Sequence, residues 1–138
     1  MTRFEQLFAD FGLPEELRRQ FDVTYDRTSK SDFNEEYVRD LIFKLRFLLQ
    51  TNFDERNPIF WEYIGYLVGL MDFHPDMLLK ADVEHMKIIL EILLSNNRFR
   101  KPIKIVGVDW ARKVNKKAVW SKLGVEDRRN YRALARII

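Results

Sequence analysis

Asp72, His74 and Asp76 alternate in the run DFHPD. In an extended loop, carboxylate, imidazole and carboxylate at two-residue spacing are one way to begin a metal site. Three ligands from one short turn, with no distant partner, make a poor one. The other histidine, His85, has no obvious partner, and the chain has no cysteine. Disulfides, zinc fingers and thiol catalysis are thereby excluded, and most nucleophilic and zinc chemistries lack parts. The carboxylate pairs Glu15/Glu16 and Glu35/Glu36 stand at expected helix starts, where the helix dipole accounts for them without acid–base catalysis. There is no glycine-rich phosphate loop. These residues point away from an enzyme and call for no metal or cofactor.

Charge is a stronger signal. The 138-residue chain carries a net +3, but the charge is unevenly placed. From Arg98 onward there are 13 cations against three acids, a balance of +10, which leaves the first 97 residues at −7. An acidic body (1–97) and a basic C-terminal region (98–138) are the expected organisation, as parts of one structural domain in a chain this short. Phosphate contact is the chemistry such a region offers. Its expected carriers are Lys113, Lys116, Lys117, Lys122, Arg128, Arg129, Arg132 and Arg136. Trp110, Trp120 and Tyr131 are interleaved with them and are candidates for stacking on exposed bases. Read blandly, the aromatics are core and the arginines a solvated face.

The elements that must position these groups read as mainly helical. Hydrophobic residues are 46% of the chain and charged ones 33%, enough apolar material for a core. Phe4, Leu7, Phe8 and Phe11 define an amphipathic helix over 2–11, stopped by Gly12. Pro14 begins a short helix to Phe21. The alternating run 21–27 reads as a strand, and 28–34 as a loop with Asn34 as a helix N-cap. Three long helices follow, over 35–52, 58–72 and 83–97, with Asn57-Pro58 and Asp82 as start signals. The second is apolar almost all round, hence central, and Gly65 and Gly69 leave it a groove for a close neighbour. Pro102 breaks the helical pattern. Residues 103–110 have β propensity and pair with 21–27 as a short two-stranded element, or else are extended linker. Asn115 caps a helix over 116–123, and Gly124 fits its C′ position. In the last helix Arg128, Arg129, Arg132 and Arg136 share one sector of roughly 100°, opposite Tyr131, Leu134, Ala135 and Ile138.

With apolar Val119, Leu123 and Val125 around Gly124, this closing stretch resembles a helix-turn-helix. Trp120 stands where that motif prefers a small residue, and Asn130 where it prefers an apolar one. His74-Pro75-Asp76 resembles the signature tripeptide of J-domains, co-chaperones of heat-shock ATPases. The helix before it, however, contains no Lys or Arg for an acidic chaperone surface.

The fold expected is a single-domain helical bundle with a basic helix-turn-helix-like C-terminal region. The expected function is non-enzymatic binding of DNA or RNA through phosphates, as a regulatory or accessory protein. The alternative is a protein–protein adaptor or inhibitor, whose basic end docks on an acidic partner or whose acidic body mimics nucleic-acid charge. A J-domain-like co-chaperone is a distant third. The amphipathic, acid-bearing N-terminus is unlike a signal peptide. The most apolar run, Ile59–Met71, contains Glu62 and is too short to span a bilayer, so a soluble cytoplasmic protein is expected.

Overall fold

Helix α4 (Pro58–Phe73) is the element around which the others are arranged. The structure is a computed structural model and describes residues 1–30 and 33–138. Asn57 accepts from Ile59 N, and Pro58 occupies the first helical position, where a missing N–H costs nothing. From Ile64 to Met71 every residue is buried, as expected for a helix apolar on all sides.

Against α4 pack α2 (Glu15–Lys30), α3 (Glu35–Thr51) and α6 (Arg100–Val114). α5 (Val83–Ser95) lies on α3 and α6. The start signals read from the sequence are in place: Asn34 accepts from Tyr37 N, and Asp82 from Glu84 N and His85 N. α1 (Arg3–Phe8) and a 3₁₀ turn (Ala9–Phe11) end at Gly12, the one glycine with positive φ (64°) among the described residues. Their Phe4, Phe8 and Phe11 join Trp61 and Phe99 in an aromatic cluster with edge-on contacts such as Phe8–Trp61 at 5.1 Å.

Both expected strands are helices, and no strand occurs among the described residues. α2 runs through 21–27 because Phe21, Thr24 and Thr28, all buried, share one helical face, while β-branched Val23 points to solvent. The expected loop over 28–34 begins later than the sequence suggests, since Thr28–Lys30 is the last turn of α2; residues 31 and 32 lie outside the described residues. Thr24 and Thr28 lie on the α4 glycine groove, their hydroxyls donating to the Phe21 and Tyr25 carbonyls.

α6 absorbs 103–110 in the same way. Ile103, Val106, Gly107, Trp110 and Val114 are its buried face. Pro102 does not break it: the proline sits in the first turn, where backbone N–H groups have no intrahelical acceptor to lose. Asn96 makes the turn from α5 compact by accepting from Arg98 N and Phe99 N. The basic region therefore shares the body's core, with Phe99, Ile103, Val106 and Trp110 in one cluster with α1–α5.

Candidate nucleic-acid interface

α7 (Lys117–Trp120) is a single turn, and α8 (Val125–Ala135) follows it. The expected helix over 116–123 is thus reduced, and Asn115 is not its cap: it ends α6 and donates to the Tyr131 hydroxyl at 2.6 Å. Gly124 has φ −76° and precedes α8 in extended conformation, so it is not a left-handed C′ residue. Leu123 is buried, but Val125 is 77% exposed and does not close a small core at the turn. A one-turn α7 gives α8 no packed partner helix of helix-turn-helix type. α8 docks on the body instead. Asn130, misplaced for that motif, donates to the Leu79 carbonyl at 3.1 Å. Asp127 pairs with Lys80, in the 3₁₀ segment Pro75–Lys80, and its hydrogen bond holds that ammonium's pKa above the ordinary value.

α8 packs on α5 and the 3₁₀ segment, and side chains of α8 and of the residues after it reach α6. Tyr131 stacks on Trp110 with ring centroids 5.5 Å apart and donates to the Ala111 carbonyl, while Ile138 reaches Gly107. A Cβ on Gly107 would lie 2.9 Å from Ile138 Cγ2, so the glycine is what lets the chain end pack there. At 100° per residue, Lys101, Lys104, Ile105, Val108 and Arg112 form the side of α6 opposite its buried face. Arg129, Arg132 and Arg136 form the solvent side of α8. Lys116, Lys117 and Lys122 are exposed around α7. None of the nine cations in these three groups has a carboxylate within 4.0 Å among the described residues. In the body, Arg3, Arg18, Arg19, Lys30, Arg39, Lys44, Lys80 and Lys87 are all paired.

Two of the eight expected phosphate ligands are otherwise engaged. Lys113 Nζ lies 3.1 Å from Asp72 Oδ1. Arg128 donates to the Trp120 carbonyl, and its guanidinium lies 5.2 Å from the Trp120 ring centroid, pulled sideways out of the arginine row. The stacking candidates fare less well. Trp110 is 1% exposed and donates to the Pro75 carbonyl; Tyr131 is buried against it. Trp120 is half-buried, with Tyr131 at its edge and Arg128 and Arg132 nearby. Missing from the expected set are Lys101, Lys104 and Arg112. Their spacing along one helical row was legible once 103–110 is read with period 3.6 rather than 2.

Within DFHPD, Asp72, His74 and Pro75 are tied into the fold, while Phe73 and Asp76 are exposed. Asp72 accepts from Tyr25 (2.8 Å) and Lys113, with Arg3 Nε 3.1 Å away, close as an ion pair but not aligned as a hydrogen bond. His74 Nε2 is 2.8 Å from the Thr28 carbonyl, and Pro75 receives Trp110. His85 is engaged by Arg46 and by the edge of Phe43. Asp72, His74 and Asp76 thus do not converge, and no group of three or more such ligands gathers elsewhere among the described residues. Nor is any described helix long and apolar enough to cross a membrane.

Burial, then the bond to Asp72, raises the Tyr25 pKa above the ordinary tyrosine range. A raised folded-state value means that Tyr25 contributes its full stability below the unfolded pKa near 10, and loses it as pH rises toward the folded value. Urea midpoints are therefore expected to fall between pH 9.5 and 11, less steeply in Tyr25→Phe than in the wild type. Superimposable pH profiles for the two proteins would contradict this.

Comparison of the chain with protein-family models, curated proteins and solved structures finds no match.

Proposed function

We propose that the protein binds DNA or RNA without enzymatic chemistry, through the exposed cations of α6, α7 and α8. The observation that carries this reading is the set of nine exposed cations without carboxylate partners among the described residues, on a molecule whose other cations are mostly neutralised internally. Unpaired ammonium and guanidinium groups break no ion pair when they turn toward phosphates, and binding releases condensed counterions. Because Trp110 and Tyr131 are committed to the core, neither is available to stack on a base, and the contacts of these cations are to backbone.

The test is binding of the intact chain to duplex DNA, single-stranded DNA and RNA across a salt series. Removing residues 101–138 is not a usable control, since it strips Trp110 and its neighbours from the core. If most of the nine cations are engaged, log affinity for duplex DNA falls with log salt at a slope steeper than about −4, at about 0.9 per phosphate contact. No binding to any of the three at low salt would overturn the reading. It would then favour the adaptor, for which exposed Phe43 and Phe47, four apart on the outer side of α3, offer a protein contact.

A further inference from the structure

Between the 3₁₀ turn after α1 and the N-terminal half of α6 lies a cleft of about 270 Å³. Leu7, Phe11, Pro102 and Ile105 line it with apolar surface, and Arg98 and Lys101 are on its border. A neighbouring depression shares Lys101 and Ile105 and adds Arg100 and Lys104. The cleft is smaller than a drug-sized pocket and suits a single small ring.

Arg98 differs from the other cations of the region. Its Nε and Nη2 donate to the two Glu55 oxygens at 3.1 and 2.9 Å, and Nη2 also to the Phe11 carbonyl at 3.1 Å. The guanidinium lies 4.2 Å from the Phe11 ring centroid, yet the side chain remains 47% exposed. It is a planar group fixed by three hydrogen bonds and one ring, with charge largely answered by Glu55. That makes it a stacking surface rather than a phosphate ligand.

Resting on the phosphate-binding reading, we infer that this cleft takes an unpaired base of a bound single strand, with the adjoining phosphates on Lys101 and Lys104. Two observations choose this occupant. The rim is cationic, with Asp10 its one carboxylate, so the occupant is an anion with an apolar part. Lys101 and Lys104 also begin the α6 row that continues to Arg112, so the cleft opens onto the face proposed for the backbone. A base-paired duplex keeps its bases stacked inside and cannot fill the cleft, which makes the protein prefer single strands.

Fluorescence anisotropy of the intact chain at one salt concentration tests this with three labelled probes: a thymidine dodecamer, an abasic strand of the same length, and a duplex. The dodecamer is expected to bind at least tenfold more tightly than either of the others. Ile105 is 41% exposed, so Ile105→Ser keeps the fold; it should bring the dodecamer to the abasic level and leave duplex binding unchanged. Equal affinity for dodecamer and abasic strand overturns the inference while leaving phosphate binding intact. Failure of every probe to bind overturns the underlying reading as well.

Discussion

Gly65→Ala should destabilise the protein by about 3 kcal/mol, the upper part of the range for forcing extra volume into a packed core. A Cβ at position 65 would lie 2.1 Å from Thr24 Oγ1, 2.5 Å from the Phe21 carbonyl oxygen and 3.1 Å from Phe21 Cα. Thr24 could turn about χ1, but the Phe21 contacts are backbone, and relief requires α2 to move away from α4. Gly69→Ala meets Thr28 Oγ1, Cγ2 and Cβ at 2.0, 2.8 and 2.9 Å, so rotating that side chain exchanges one clash for another. Helix propensity works in the opposite direction: alanine in a helix interior is better than glycine by up to about 1 kcal/mol. A net loss therefore reports the helix contact and nothing local. Urea unfolding gives the measurement, and a Gly65→Ala midpoint at or above the wild-type value would remove the close α2–α4 approach from the account. In the Gly69→Ala background, Thr28→Ala removes the two nearest atoms and should restore part of the loss.

The glycine groove was legible before its occupant was. Two glycines four apart on a helix apolar all round announce a close neighbour, but α2 was hidden by its own composition. Val23 and Thr24 suggest a strand because β-branched side chains fit a pleated surface. What overrides that preference is the burial of Phe21, Thr24 and Thr28 along one face, with each threonine hydroxyl satisfied by a carbonyl one turn back. Ile103, Ile105, Val106 and Val108 mislead in the same way in α6. Helices α3, α4 and α5 are legible because Asn34, Asn57-Pro58 and Asp82 fix their starts independently of periodicity.

For the candidate interface, the positive balance beyond Arg98 is a sum over residues and needs no structure. Which of those cations are free is largely a matter of tertiary partners. Lys113 is answered from 41 residues away by Asp72, and Arg128 is drawn to Trp120 across a turn that the sequence suggests is a longer helix. Aromatic residues among cations read equally well as stacking platforms or as core; the hydrogen bond from Trp110 to Pro75, 35 residues distant, decides for core.

That division between free and engaged cations yields the second large effect. Replacing Arg129, Arg132 and Arg136 together by Gln should leave the urea midpoint almost unchanged. All three are exposed and, among the described residues, without a carboxylate partner, and surface changes of this kind usually stay within about 0.5 kcal/mol each. The one interaction lost is Arg132 near the Trp120 ring, 5.8 Å from its centroid and exposed, which is worth about 0.5 kcal/mol. Nucleic-acid binding should weaken strongly at low salt, and the log–log salt slope should become shallower by up to about 2.7, at about 0.9 per lost phosphate contact. Lys113→Gln should do the reverse. It removes a cation from Asp72, whose side chain is 9% exposed, so stability falls, while the salt slope stays at the wild-type value. The two variants separate a working surface from a structural ion pair within the same basic region. If the triple variant kept the wild-type slope, the α8 row would not be in contact with phosphates, and whatever binding remained would belong to α6 and α7.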